Sequence, residues 1–597
     1  MTMKQLYEKQ IEICQKNIAA CNVPIILLGT IKVLSFFAIP LTYFIAYSKD
    51  FKLAITTAIA LVFLLIFLIA SKHQERYKLK EKTNQGLVNI HNMNLQRLDG
   101  SWNTFTDTGS EYVSYEHAYA TDLDIVGKTS LYQMINSTHT YFGRKQLASD
   151  LLNPTYTIPE IEIRQQAIQE ISNAYVENAN IEYACSNVEH DVLFETLLQD
   201  MKEETSYFKH VSSYKALLVL RICTIIICFI AAFTHINYIV LLCALLLTLQ
   251  LFIWLANHKK ATSYTNLVKE VSSSLQAYVP MIQEIINMPY QASRLLEIQQ
   301  ELVRSKQAVR KLAAIASNVN QSQNALANFI LNLFWLWDMK NANDLDLWKK
   351  QYSQHIDNCF SYIGEYETYL SFANLKRNVS KTCLPTLTKH TQVIQAIQIG
   401  HPLLTNASRV CNDFDLHDEI MIISGSNMSG KTTFLRTVGI NMVLAKAGSF
   451  VVANKMTCPL VNIISSMRIA DDLHAGISTF YAELQRIKKI IDLGHVDPYT
   501  CFFIDEIFRG TNSVDRLYGA KAVLKQLNQD KVIGFMTTHD LDVCTYEDTY
   551  PRIVNYSFNE TYKNDEMYFD YKLRTGISKS TNAKFLLHKV GIIQTSE

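Results

Sequence analysis

Net charge is almost missing from this chain. Its 597 residues carry 56 Lys and Arg against 55 Asp and Glu, a formal balance of +1. Bulk charge therefore gives no nucleic-acid signature, and any contact with DNA has to come from a local patch. Metal-ligand spacing is missing as well. The twelve cysteines include no C-x-x-C pair and no Cys/His cluster at zinc-site spacing, so a reduced, cytosolic set of thiols and no zinc site are expected. Residues 290–384 lack proline and hold a single glycine, Gly364. Such a stretch supports very long helices. A cleavable signal peptide is not expected, because the first apolar stretch is too long and has no small-residue cleavage site. Length alone predicts about three or four domains.

What the chain does have is long apolar runs. Val23–Tyr47 and Leu53–Ala70 form one pair, joined by Ser-Lys-Asp-Phe-Lys; Ala216–Phe233 and Ile236–Ala256 form a second pair with a short turn. Each is long enough to cross a hydrocarbon layer of about 30 Å. Lys32 and Arg221 lie inside the first and third runs, within snorkelling reach of an end. Lys4, Lys9 and Lys16 precede the first run, and Lys72, Arg76, Lys78, Lys80 and Lys82 follow the second. Lys209 and Lys215 precede the third, and Lys259 and Lys260 follow the fourth. This bias predicts a multi-pass protein of the cell (inner or plasma) membrane, with both termini and all large polar regions in the cytoplasm.

The segment 425–433 reads Gly-Ser-Asn-Met-Ser-Gly-Lys-Thr-Thr, a complete G-x-x-x-x-G-K-[ST] phosphate-binding loop. Gly425 and Gly430 let the backbone curl around phosphate oxygens, Lys431 reaches the β- and γ-phosphates, and the Thr432 hydroxyl serves Mg²⁺. Ser426, Asn427, Met428, Ser429 and Thr433 complete the nucleotide-binding set. Glu419–Ser424 reads as a buried strand leading in. Residues 432–447 read as the helix leading out, with its N-terminal amides facing the anion.

Two more strand ends join this loop. Thr500–Ile504 is apolar and ends in Asp505 and Glu506. The first carboxylate is placed to hold Mg²⁺ and the second to deprotonate the attacking water. Val532–Met536 ends in Thr537, Thr538 and His539, and a histidine there is placed to sense the γ-phosphate. The candidate catalytic residues are thus Lys431, Glu506 and His539, the metal ligands Thr432 and Asp505, and the implied cofactors ATP and Mg²⁺.

Between the hairpins, residues 71–212 are polar and helical in pattern, with turns near Gly100 and Pro154. After the second hairpin, Leu295, Ile298, Leu302, Ser305, Val309, Leu312, Ala316 and Val319 recur at spacings of three and four, a heptad seam with one polar interruption. An antiparallel helical bundle is expected, and a lever moved by nucleotide is the sharper reading. Phe329–Trp337 is too short to span a bilayer and is expected in the core.

Residues 466–484 read Ser-Met-Arg-Ile-Ala-Asp-Asp-Leu-His-Ala-Gly-Ile-Ser-Thr-Phe-Tyr-Ala-Glu-Leu. This segment resembles the Asp-Asp-Leu and Ser-Thr-Phe region of MutS-type mismatch repair ATPases. Asn427-Met428, Asp505-Glu506-Ile507 with Arg509-Gly510-Thr511, the Thr538-His539 pair and His401-Pro402-Leu403 resemble the same family. Upstream, Asp122-Leu-Asp-Ile125, Ser130-Leu131, Asn136, Thr140-Tyr-Phe-Gly-Arg144, Leu151-Leu-Asn-Pro154 and Ile163-Arg164-Gln165 are similar to the start of the MutS core domain. The resemblance implies an α/β P-loop ATPase domain of ABC/MutS type at 385–597. An all-α core and lever, 113–215 and 257–384, would precede it, interrupted by transmembrane hairpins at 23–70 and 216–256. Residues 1–22 would form a cytoplasmic N-terminal segment and 71–112 a linker. It also implies a homodimer with two composite sites, in which Ser478 and Thr479 at a helix N-terminus face the γ-phosphate bound by the other subunit.

Departures from the family are equally specific. The first hairpin stands where mismatch-finding members carry a Phe-x-Glu wedge domain, and the second stands near the place of the DNA-gripping clamp. Phe558-Asn559-Glu560 fits the wedge pattern by chance, after the ATPase motifs. Gly400 stands where the family usually has Arg, Phe508 where it often has Gly, and 575–593 is a short version of the dimerising end. The leading expectation is a membrane-anchored ATPase coupled to DNA, in mismatch repair or on branched and recombining structures. The alternative is an ATP-driven membrane scaffold that recruits proteins without DNA. An ATP-driven transporter is disfavoured: no Leu-Ser-Gly-Gly-Gln segment is present, and the gap from Lys431 to Ser478 is too short for a transporter's helical subdomain.

Overall fold

The computed structural model describes every residue except 1, 50–52, 189–192, 204–205, 209–210, 235, 322–324, 354–355, 390, 469–478, 509–511, 530–531, 564–565 and 579–597. The chain divides into two compact units, Met1–Trp102 and Asn103–Glu597.

The first unit is a hairpin of two helices, Met3–Ser48 and Leu53–Asp99. Thr2 and Gln5 close a capping box at its start. The helices run antiparallel: Asn17 donates to Asn84 Oδ1 at 3.1 Å, Gln74 donates to the Ile25 carbonyl at 3.0 Å, and Phe36 meets Phe67. Each helix, at 46 and 47 residues, is about 70 Å long at 1.5 Å per residue, far beyond its apolar run. The first segment, expected as a separate N-terminal piece, is therefore helix from Met3, and the expected linker is helix as far as Asp99. Along the apolar run Val23, Leu34, Phe37, Phe44, Leu61 and Leu65 point outward. Lys32 does not stand alone there; its ammonium lies 5.7 Å from the Phe67 ring centroid.

The second unit has a helical part and an α/β part. Among the described residues of the whole chain, four helices are long and apolar enough to cross a membrane; two belong here, Tyr214–Thr234 and Asn237–Glu270. Gln250 donates to Thr224 Oγ1 at 2.7 Å between them. The 29-residue helix Ser293–Gln321 buries its whole heptad seam, from Leu295 to Val319, Ser305 included. It packs on Ser272–Asn287, Trp337–Tyr352 and Ile356–Asn378. The last of these is buried on nearly every face between Ile363 and Leu375, so it is the axis of the helical part. Its Glu367 accepts from the His139 and Thr140 amides and from the Thr140 hydroxyl. That carboxylate thereby closes the N-terminus of the helix Tyr141–Leu152. Burial pushes the Glu367 carboxyl up from its ordinary value, against these donors.

The expectation of a core position for Phe329–Trp337 holds for Leu336, which is buried, and is corrected for Phe329, Ile330 and Trp335. The helix there spans Ala325–Trp335, and Leu326, Phe329, Ile330 and Trp335 are exposed, while its buried residue is Asn332. The physical reason is that Asn328 and Asn332 take the inward face. Asn332 donates to the Asn328 carbonyl at 3.0 Å and accepts the Asp338 amide at 3.0 Å.

Ten strands follow among the described residues: β1 (Thr386–Thr388), β2 (Val393–Ile399), β3 (Asn412–His417), β4 (Ile420–Ser424), β5 (Lys455–Pro459), β6 (Asn462–Ser466), β7 (Thr500–Asp505), β8 (Ile533–Thr538), β9 (Ile553–Lys563) and β10 (Glu566–Thr575). They form a four-stranded sheet, β1-β5-β2-β3, and a six-stranded sheet, β10-β9-β4-β8-β7-β6. In the larger sheet β9, β4, β8, β7 and β6 are parallel and β10 pairs antiparallel at one edge. β4, β7 and β8 are buried at every position, as expected of parallel strands covered by helices. Their carboxyl ends therefore lie side by side at one rim, where such sheets present ligand sites.

Candidate active site

β4 runs into the turn 425–430, and the helix Lys431–Lys446 leads out of it. Gly425 has φ +151° and Gly430 φ +106°, conformations open to glycine. A Cβ on Gly425 would also lie 2.7 Å from the Phe558 carbonyl oxygen. Within the turn Lys431 is buried, its Nζ 2.8 Å from the Gly425 carbonyl and 2.9 Å from that of Ser426. The Ser429 hydroxyl is buried and makes no hydrogen bond among the described residues. Asn427, Met428 and Thr433 are exposed around the turn.

β7 and β8 bring their ends to this turn. Thr432 Oγ1 lies 2.9 and 3.1 Å from the two Asp505 oxygens. Thr537 donates to Asp505 Oδ1 at 2.6 Å and accepts the Glu506 amide at 3.1 Å. Glu506 Oε1 is 3.8 Å from Lys431 Nζ and 2.5 Å from His539 Nε2. The structure thus gathers Lys431, Thr432, Asp505, Glu506 and His539 from three strand ends. A hydroxyl and a carboxylate oxygen this close are hard donors of the kind Mg²⁺ takes, with water filling its other positions. Ser478 lies outside the described residues, as do Asp471-Asp472-Leu473 and Arg509-Gly510-Thr511. Thr479 opens the helix Thr479–Val496.

Several contacts around the site have partners that no local signal announces. Ser426 donates to Glu560 Oε2 at 3.1 Å, because β9 lies beside β4. Phe558 of the same strand is buried, so this Phe-x-Glu is no exposed wedge. Asp122 accepts from the Ser465 hydroxyl at 2.7 Å, the Met467 amide at 3.1 Å and the Arg468 amide at 2.9 Å. Its own carbonyl accepts from Arg436 at 3.0 Å, and Asp124 pairs with both Arg436 and Arg468. The segment 122–124 therefore clasps the helix Lys431–Lys446 and the end of β6 together. A second tie is Arg164, which pairs with Asp150 and donates from Nε to the Ala447 carbonyl at 3.1 Å, at the other end of that helix.

His401 is buried, and its Nδ1 accepts the Leu403 amide at 3.2 Å. Burial, reinforced by the Arg436 and Arg409 charges, pulls its pKa down to about 3. Gly400 next to it has a reason: the Arg409 side chain occupies the space a Cβ would need and donates to the His401 carbonyl at 2.8 Å.

Residues 117–492 match the family MutS domain III, and residues 421–587 match MutS domain V. The first match alone covers more than half of the chain. This chain belongs to the MutS family. Among similar proteins is the DNA mismatch repair protein MutS of Lysinibacillus sphaericus, 28% identical over 257 residues, or 42% of this chain and 29% of that protein. The DNA mismatch repair proteins MutS of Listeria welshimeri and Lactobacillus acidophilus are each 28% identical over 235 and 236 residues, 38% of this chain and 27% of theirs. The chain thus spans under a third of the length of these MutS relatives. Its helical region followed by an α/β region containing MutS domain V is the arrangement those matches cover.

Proposed function

We propose that this chain is a membrane-anchored ATPase of the MutS family that binds and hydrolyses ATP in a composite dimer site and couples that cycle to DNA. The observation that carries the reading is the meeting of Lys431, Thr432, Asp505, Glu506 and His539 at three adjacent strand ends. Gly425–Gly430 cradles the phosphates with backbone amides. The Lys431 ammonium leaves the Gly425 and Ser426 carbonyls for the β- and γ-phosphate oxygens. Thr432 and Asp505 would hold Mg²⁺, which would supply charge neutralisation on those oxygens. Glu506 takes the proton of a water that attacks the γ-phosphorus. The bond to the β–γ bridging oxygen breaks, and ADP and phosphate leave. His539 orients the Glu506 carboxylate and senses the γ-phosphate. Ser478 and Thr479 of a second copy cap the same γ-phosphate from a helix N-terminus.

The four long apolar helices support anchoring of two hairpins in the cell membrane, with the ATPase region 385–597 on the cytoplasmic side. Asp122, Asp124 and Arg164 would carry motion between the phosphate-loop helix and the helical core and lever. The DNA half of the reading rests on the relatives named as mismatch repair proteins. ATP hydrolysis by the full chain in nanodiscs, alone and with homoduplex, mismatched and branched DNA, tests it. DNA should change the rate, and binding should weaken steeply with salt. A rate indifferent to every DNA assigns the motor to a protein or membrane partner instead.

A further inference from the structure

The helix Ala325–Trp335 is built inside out. Its buried residue is Asn332, with Asn328 half-buried one turn before it, while Leu326 is 69% exposed and Phe329 and Ile330 on the other side are each more than 40% exposed. A helix bathed in water places these groups the other way round. At about 16 Å it is too short to cross a hydrocarbon layer of about 30 Å.

Its neighbours say what covers it. The helix packs against the two apolar helices of the second hairpin. Trp254 meets Phe329 with ring centroids 6.2 Å apart, and Arg221 donates to the Trp335 carbonyl at 3.3 Å. Val219, Ile222, Phe252 and Leu255 of those helices are also exposed, so one apolar surface continues from the hairpin onto the short helix. Polar groups collect beside it. Trp254 Nε1 and His258 Nδ1 both reach Asp338 Oδ2, at 3.0 and 2.7 Å, and Lys340 lies 4.7 Å from the Trp337 ring centroid. Tryptophans mixed with cations beside an apolar band are the signature of the membrane–water boundary. Leu336, at φ +46°, breaks the chain between the apolar helix and the polar helix Trp337–Tyr352, which lets the two point their faces differently.

We infer that Ala325–Trp335 is an interfacial helix lying in the headgroup layer of the bilayer that holds the second hairpin, with Leu326, Phe329 and Ile330, which share one side of the helix, turned toward the acyl chains. The inference rests on the membrane reading of that hairpin. It gives the lever a second foothold on the membrane: Trp337 Nε1 donates to the Asn318 carbonyl near the end of the long heptad helix at 2.9 Å. A tilt of that helix would therefore press on or lift the interfacial helix.

The test uses the full chain in nanodiscs of phosphatidylcholine and phosphatidylglycerol, with the photo-crosslinker p-benzoylphenylalanine placed at Leu326 or Ile330. Leu245 in the hairpin and Val303, exposed on the heptad helix, are the comparison sites. Lipid adducts at 326, 330 and 245, each about tenfold above the Val303 background, are the expected result for a helix seated in the interface. Lipid adducts at 245 with none at 326 and 330, or with chain-to-chain crosslinks there, overturn the inference and leave the hairpin in the membrane. Absence of lipid adducts at 245 as well overturns the membrane reading itself.

Discussion

Thr537 serves two carboxylates with one hydroxyl: it donates to Asp505 Oδ1 at 2.6 Å and accepts the backbone amide of Glu506 at 3.1 Å. Asp505 is buried, and Glu506 sits at φ +52°. The hydroxyl therefore fixes both the Asp505 oxygen and the strained residue that follows. Thr537→Val keeps the shape and removes both hydroxyl bonds, at about 1–3 kcal/mol, while the Glu506 amide keeps the Thr537 carbonyl at 3.3 Å and Asp505 keeps the Thr432 hydroxyl. The expected outcome is a fall in kcat for ATP of about ten- to a hundredfold with KM little changed, and recovery in Thr537→Ser. Steady-state hydrolysis of the three proteins checks it, and an unchanged kcat in the valine variant contradicts it.

Phe508 occupies a left-handed conformation, φ +58°, which costs a side-chain-bearing residue about 1–2 kcal/mol. Its ring is buried in the core with Ile504, Leu524 and Met536, meets Phe480 edge-on, and fills the space beside Gly519. Losing a buried Phe costs about 3–5 kcal/mol, so packing outweighs strain. Phe508→Gly should lower stability by about 1–4 kcal/mol, the ring loss less the strain relieved. Gly519→Ala should destabilise by about 1–3 kcal/mol against the ring, and by under about 0.5 kcal/mol once Phe508 is Ala. Chemical unfolding of the four members of the cycle checks the coupling; additive losses contradict it.

His401 makes the α/β region sensitive to acid. Its folded pKa of about 3 lies below the ordinary 6.5, so the unfolded chain takes up the proton first. Stability is then whole above about pH 6.5 and falls as pH drops toward 3. Between pH 7.5 and 5.5 this one group should remove about 1.4 kcal/mol. Gln in its place keeps an acceptor for the Leu403 amide and does not titrate. Unfolding measured at both pH values should show a smaller acid loss in His401→Gln by that amount, and an equal loss in both proteins contradicts the assignment.

The site was legible where its signals are local. Gly425, Gly430, Lys431 and Thr432 share one turn, and Asp505, Glu506 and His539 each end an apolar run, so strand ends could be read residue by residue. The heptad seam from Leu295 to Val319 was legible for the same reason, since a period repeats in sequence before it packs in space. Contacts set by sheet order were not. Glu560 reaches Ser426 because β9 lies next to β4, and no spacing announces that neighbour. Asp122 meets Arg468 across 346 residues of chain; the Asp-Leu-Asp-Ile pattern marked the segment without marking its partner. Apolar composition alone places the short helix Ala325–Trp335 in the core. Asn328 and Asn332, four apart, mark the inward face, and that signal was present in the sequence. The apolar runs located the hairpins, while the ends of the helices followed the helix-forming polar residues beyond them, as far as Asp99.

The central claim is that the turn at 425–433 binds ATP and that Glu506 drives its hydrolysis. MgATP binding and turnover by the full chain in nanodiscs, beside Lys431→Ala and Glu506→Gln, tests it most directly. The parent chain should bind and hydrolyse, and Lys431→Ala should do neither. Glu506→Gln should bind ATP as tightly while turning over at least about a hundredfold more slowly, the loss expected when a general base is removed. Turnover by Glu506→Gln at the parent rate, or undiminished binding by Lys431→Ala, would contradict the account.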